Sequence, residues 1–163
     1  GEAEHALACA VSAAVQSRAV LALLRGASRF GDWGLSVVVA AVLLLLAGGD
    51  ALTGWAAATA VAVAVQKALK RGCGRLRPCE RPDGPPQRAP IPDAGSFPSG
   101  HTLHAVMATV VVSGTVPPLA PLLALVACMV AASRVVLGVH YPSDVGAGAG
   151  LGVTLGGALL LLI

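Results

Sequence analysis

GLSVVVAAVLLLLAGGDALTGWAAATAVAVAVQKAL, running from Gly34 to Leu69, decides what kind of protein this is. Its first arm, 34–47, and its second, 51–69, are apolar almost throughout, and Gly48-Gly49-Asp50 stands between them. At about 1.5 Å of rise per residue, the second arm matches the hydrocarbon core of a bilayer. The first does so with help from its flanks, Trp33 at its mouth included. A Gly-Gly-Asp turn between two such arms reads as a helical hairpin through a membrane.

Outward from the hairpin the same grammar repeats. Segments 100–116, 119–139 and 144–163 are further apolar runs, separated by Pro117-Pro118 and by the polar corner around His140. Composition agrees: 56% of the chain is apolar and 12% charged, with a mean hydropathy of +0.80. The apolar mass is Ala, Val, Leu and Gly with few aromatics, a mixture suited to helices in close contact within lipid. The segment 4–29 is different. Leu7, Val11, Ala14, Val15 and Leu21 share one helical face, and Gln16, Ser17, Arg18 and Arg25 interrupt it, as expected of an amphipathic helix lying in the interface. A sixth span there is the alternative, but it would carry Arg18 near mid-bilayer at a cost of about 3 kcal/mol or more. The expected fold is therefore all-α: one membrane domain over 1–163, with five transmembrane helices and an N-terminal interfacial helix.

Between the second and third spans, 71–97 holds Pro78, Pro82, Pro85, Pro86, Pro90 and Pro92 among many charges, so it reads as an aqueous loop. All eleven Lys and Arg residues lie in 18–29, in 67–88 or at 134. Five spans bring these positions to one side, and the positive-inside rule makes that side cytoplasmic, in a multi-pass protein of the inner (plasma) membrane. Residues 1–5, GEAEH, carry acids where a secretory signal would carry bases, so no signal peptide is expected. Cys9, Cys73, Cys79 and Cys128 lack the paired spacing of a zinc site, and they are expected to be unpaired. No continuous basic face with interleaved aromatics exists, which argues against nucleic acid as a partner. In the last span, Gly148, Gly152 and Gly156 make overlapping small-xxx-small steps. They serve either a homodimer or packing within one chain.

Three polar clusters converge on the basic rim. Lys70 and Arg77-Pro78 leave the second span, Pro98-Ser99-Gly100-His101 opens the third, and Ser133-Arg134 precedes His140 and Asp144 at the fourth-to-fifth junction. Arg134 inside the end of an apolar helix is costly unless it is paired or binds an anion. With Lys70 and Arg77 it makes a candidate clamp for phosphoryl oxygens, Arg offering a planar fork and Lys a point charge. Ser99 and Gly100 sit where first-turn amides lack intrahelical partners, a ready anion site, although Ser99 can equally be an ordinary helix cap. His140 and Asp144 are one helical turn apart. A carboxylate holding one ring nitrogen frees the other as a nucleophile. His101 is then the natural proton donor to a leaving group. His104, one turn further on, is a packing or substrate-orienting residue, and His5 carries no signal. No carboxylate cluster suggests a metal pair, so no metal or other cofactor is expected.

Lys70-x6-Arg77-Pro78, Pro98-Ser99-Gly100-His101 and Ser133-Arg134-x5-His140-x3-Asp144 together resemble the three signature motifs of the type 2 phosphatidic acid phosphatase superfamily. That family also contains vanadium haloperoxidases and bacterial acid phosphatases. Each motif alone is weak; the ordered set is specific, and it spans a little under half the chain. The resemblance implies a phosphohistidine at His140 oriented by Asp144, His101 as the acid, and Lys70, Arg77, Ser99, Gly100 and Arg134 around the phosphoryl oxygens. Many membrane members have six spans and a site facing outward. A short chain with an inward charge bias is more similar to a branch acting on polyprenyl-linked sugar phosphates in cell wall synthesis. Phosphatidylglycerophosphate, phosphatidic acid and prenyl diphosphates are alternative substrates. Vanadate-dependent halide oxidation, and non-enzymatic binding or transport of phospholipid, are alternatives of another class.

Overall fold

The computed structural model describes residues 1–91 and 93–162. Pro92, Ile163 at the end of the expected last span, and the Trp33 side chain assigned to the first span's mouth lie outside the described residues. Among the described residues, seven α-helices make up the bundle: α1 (Glu2–Ala14), α2 (Arg18–Arg29), α3 (Leu35–Leu46), α4 (Gly49–Cys73), α5 (Gly100–Thr115), α6 (Ala120–Val136) and α7 (Pro142–Leu160). Among the described residues, the segments Gly49–Glu80, Pro117–Val136 and Pro142–Leu160 are long and apolar enough to cross a membrane. A fourth is added if α1 and the following helix count as one bent span. The chain is thus an all-α, multi-pass membrane helix bundle.

The centre of the bundle is α5. Leu103, Ala105, Met107, Ala108, Val111 and Val112 are buried on it, and Leu43, Trp55, Ala62, Val130 and Leu159 close the core from α3, α4, α6 and α7. The glycines of α7 explain how close its neighbour comes. A Cβ on Gly148 would lie 2.4 Å from the Ser99 carbonyl oxygen, and one on Gly152 2.6 Å from that of Leu103. Of the two readings open for that stripe, packing within the chain is the one observed; Gly146 and Gly150, on the other face, meet nothing within 4 Å. Outside this core, Val37, Leu45, Leu46, Leu122, Leu125 and Val153 are exposed, as lipid-facing side chains must be.

The N-terminal region departs from the single helix expected over 4–29. Two helices meet there at 120°, because the polar Gln16-Ser17 step breaks the run and Ser17 caps α2 by accepting from the Val20 amide. Arg88 secures the break by donating to the carbonyls of Ser12 (2.9 Å) and Val15 (3.0 Å). At its far end α2 does not stop. A π-turn, Phe30–Gly34, carries it straight into α3, so the first expected span is the apolar end of a longer helix with a basic start.

The Pro-rich loop is stitched down. The amides of Cys79 and Arg88 donate to Gly138 and Leu137, and that of Ser96 to Arg75. A second small core of Leu21, Ala89, Val136, Leu137 and Val139 forms beneath it.

Candidate active site

Two helix N-termini and two helix C-termini meet at the rim, and Arg134 stands in the last turn of α6. α4 ends at Gly74, whose φ of +57° lets its amide cap the Lys70 carbonyl. α5 starts at Ser99 and α7 at Tyr141, and the Ser99 amide donates to the Asp144 carbonyl (3.0 Å), tying the two starts together. Between them lies a cavity of about 190 Å³. Lys70, Arg77, Gly100, His101, His104, Arg134 and His140 all line it, although they come from four different parts of the chain.

His140 is the most informative residue. It is 2% exposed, and its Nε2 lies 3.2 Å from Arg77 Nη1. A guanidinium has only donors to offer, so Nε2 is the unprotonated acceptor, its lone pair turned to Arg77, and the ring proton sits on Nδ1. That nitrogen faces Asp144 Oδ2 at 3.5 Å, a separation at the outer edge of hydrogen bonding, and it has no closer partner. Burial, followed by the Arg134 and Arg77 charges, pushes the His140 pKa down to about 3 against the opposing pull of Asp144. The imidazole is therefore neutral, with its nucleophilic nitrogen among the cavity's cations.

Asp144 is held as tightly as an orienting carboxylate needs to be. It is fully buried, its Oδ2 accepts from the Tyr141 amide (2.8 Å), and its Oδ1 accepts from Arg75 (2.8 Å). Arg75 escaped the sequence reading. It also pairs with Glu4 (2.6 Å) and lies over the Tyr141 ring at 4.0 Å, so α1 buttresses the dyad from behind. Ser99 follows its plainer alternative. Its hydroxyl caps α5 and meets the Thr102 hydroxyl at 3.0 Å, and it does not line the cavity. A Cβ on Gly100 would meet the end of the Gln66 side chain, 2.3 Å away.

The three cations surround the cavity with donors to spare. Arg134 is 1% exposed; its Nη1 donates to the Ser28 hydroxyl, while Nε and Nη2 have no partner among the described residues. Buried unpaired guanidinium donors are costly, and an anion in the cavity would satisfy them. Lys70 and Arg77 already hold one. The Asp93 carboxylate, isolated on paper in the Pro-rich loop, accepts from Lys70 (3.0 Å) and Arg77 (2.9 Å), with Gln66 at 3.4 Å. A loop carboxylate thus occupies the clamp that the sequence reading assigns to phosphoryl oxygens. His101, also on the cavity wall, pairs through Nε2 with Asp32 on the π-turn; Asp32 carries no signal in the sequence. Among the described residues, no three His, Cys, Asp or Glu side chains are grouped to hold a metal ion.

The PAP2 superfamily model matches residues 51–163, and all three motifs lie inside that match. This chain belongs to the PAP2 superfamily. It is an enzyme of the lipid phosphate phosphatase kind, the line of that superfamily to which its relatives belong. Decaprenylphosphoryl-5-phosphoribose phosphatase of Mycobacterium tuberculosis is 35% identical over 165 aligned residues, covering 90% of this chain and 85% of the relative. The enzyme of the same name from Mycolicibacterium smegmatis is 35% identical over 152, covering 87% and 79%. Two crystal structures share the PAP2 fold: the phosphatidylglycerolphosphate phosphatase of Bacillus subtilis (TM-score 0.78, 23% identity, 99% of this chain and 84% of that one) and LpxE of Aquifex aeolicus (0.82, 22%, 95% and 93%).

Proposed function

We propose that this PAP2 enzyme hydrolyses a lipid-linked phosphate monoester without a metal ion, through a phosphohistidine on His140, and that its substrate is decaprenylphosphoryl-5-phosphoribose. The observation that carries the mechanism is the His140 tautomer: a buried neutral ring, Nδ1–H toward Asp144 and an unprotonated Nε2 that accepts from Arg77. Nε2 attacks phosphorus and the P–O bond to the lipid-linked alcohol breaks. His101 supplies the proton that the departing oxygen needs. Lys70, Arg77 and Arg134 take the phosphoryl oxygens as charge builds on them, and Asp93 gives up its place in the clamp. Water then attacks the phosphohistidine, His101 accepts its proton, and inorganic phosphate leaves. Three cations stand where a metal-dependent phosphatase would set its ion, which supports metal-free chemistry. The substrate assignment is supported by the similarity to the two mycobacterial enzymes over about nine-tenths of the chain.

The bundle is read as five spans, α3 to α7, with α1 and the basic start of α2 at the cytoplasmic interface and the cavity opening to that side. A Gln87→Cys variant, with the native cysteines replaced because Cys73 and Cys128 are exposed, tests the orientation in intact cells. Protection from an impermeant external thiol reagent is expected; labelling from outside reverses the assignment.

The chemistry is tested on purified protein with radiolabelled substrate and EDTA present. Wild type should release phosphate and give an alkali-stable, acid-labile phosphoenzyme, and His140→Ala should lose on the order of 10³-fold or more in kcat. Turnover by that variant near the wild-type rate would falsify the nucleophile. Release rates from phosphatidylglycerophosphate, phosphatidic acid and a prenyl diphosphate, set beside the decaprenyl lipid, decide the substrate.

A further inference from the structure

The cavity that holds His140 is not the only one His101 faces. A second, of about 500 Å³, lies against it and shares Asp32, His101 and Arg134 with it. Neither His140 nor Lys70 nor Arg77 reaches this second space; its own contributions include Arg25, Arg29 and Arg88. Asp32 is the one acid among its described lining residues, and that carboxylate is engaged by His101. Arg25 spends its Nε on the Arg88 carbonyl (3.1 Å), and Arg29 makes no hydrogen bond or ion pair among the described residues. Arg134, buried and with two unpartnered donors, forms the wall between the two spaces. The second cavity is thus strongly cationic, and His140, the proposed nucleophile, does not line it.

In-line displacement fixes what belongs there. The nucleophile and the departing oxygen lie on opposite sides of the transferred phosphoryl group. With His140 on one side and the proton donor His101 on the other, the departing alcohol leaves the first cavity past His101, into the second. Arginines in that position face the body of the leaving group, not the phosphate being cleaved. From this juxtaposition we infer that the second cavity is an anion subsite for the leaving group, binding a phosphodiester a few bonds beyond the scissile oxygen. The inference rests on the hydrolase reading and narrows it. The preferred substrates are lipids with two phosphates separated by a short polyol or sugar, one a terminal monoester and one a diester toward the lipid tail. A monoester of a neutral glyceride leaves the arginines empty.

The test pairs phosphatidylglycerophosphate with phosphatidic acid of the same acyl chains, adding the polyprenylphosphoryl pentose phosphate as a second two-phosphate lipid, all in neutral detergent micelles. Wild type should favour the two-phosphate lipids in kcat/KM. Arg29→Gln should cut that preference several-fold, and Arg25→Gln with Arg29→Gln should cut it by roughly tenfold, chiefly through KM, while phosphatidic acid turnover reports the fold. Absence of a preference in wild type overturns the subsite, as does an equal loss on both classes of lipid. A bilayer headgroup is the other source of a phosphodiester. If adding phosphatidylglycerol stimulates phosphatidic acid hydrolysis in an Arg29-dependent way, the cavity serves that lipid and the leaving-group assignment is wrong. Failure of wild type to release phosphate from any of the lipids removes the hydrolase reading itself, and the subsite with it.

Discussion

Residues 51–163 and residues 1–50 contribute to the same rim in different ways. The first region is the part that matches the PAP2 superfamily, and it supplies Lys70, Arg77, His101, Arg134, His140 and Asp144. These residues stand on the ends of α4 to α7 or in the loop that leaves α4, around a core in which a glycine stripe lets α7 touch α5. The second region lies outside the family match. Its α1 and α2, with the π-turn, reach the site from outside: Glu4 braces Arg75, Ser28 meets Arg134, Asp32 meets His101, and Arg25 and Arg29 line the adjoining cavity. Groups that would touch phosphorus come from the rigid, family-shared bundle. Arg25 and Arg29, proposed to meet the departing alcohol, come from the helix outside that match. Chemistry tolerates little displacement, whereas the leaving group varies with the lipid.

The hardest blow to this division would come from Asp32. As a positioning residue for the His101 proton, Asp32→Asn should lower kcat by about 10- to 100-fold on an alkyl phosphate. On an aryl phosphate, whose leaving group needs no proton, it should do far less. Equal losses on both would place Asp32 in the scaffold and not in proton transfer. Within the family-matched bundle, Gly148→Ala should destabilise the protein by about 1–3 kcal/mol, because its Cβ would collide with the Ser99 backbone. Gly150→Ala, with open space around it, should be neutral or better; thermal unfolding in detergent measures both.

Asp93→Asn sharpens the picture of the clamp. Removing the carboxylate that Lys70 and Arg77 now hold should lower the inhibition constant for inorganic phosphate or vanadate several-fold, and a weaker inhibition would mean that Asp93 helps to bind the anion. A last effect is expected in pH. His140 is held neutral down to about 3, whereas in the unfolded chain it takes up a proton below its ordinary value near 6.5. The unfolded state binds the extra proton, so stability falls as pH drops from about 6.5 toward 3. His140→Asn should flatten that part of a stability-versus-pH curve; an unchanged slope would mean that His140 does not carry it.

The sites that were legible in the sequence share one property: a charge or an imidazole where apolar helix surrounds it. Arg134 in α6, and His101 and Lys70 at helix ends, stand out because burial makes them costly without a purpose. Asp93 and Asp32 did not stand out, since a carboxylate in a Pro-rich loop or beside a turn has no such cost in one dimension. Arg75 was hidden for the same reason, among the many bases of its loop. The break between α1 and α2 was also beyond local reading. Gln16-Ser17 is compatible with a continuous amphipathic helix, and it is Arg88, far along the chain, that holds α1's last carbonyls.

By itself, then, the order of residues determined the all-α membrane class, the side on which the polar clusters collect, and the set of groups able to handle a phosphoryl anion. Hydropathy runs and helix-period spacings are local, and they survive any arrangement of neighbours. Only the tertiary structure decided which nitrogen of His140 is unprotonated, which carboxylate sits in the clamp, and that a second cationic space opens beside His101. Those depend on distances between segments that the chain brings together only when α5 is enclosed by its neighbours.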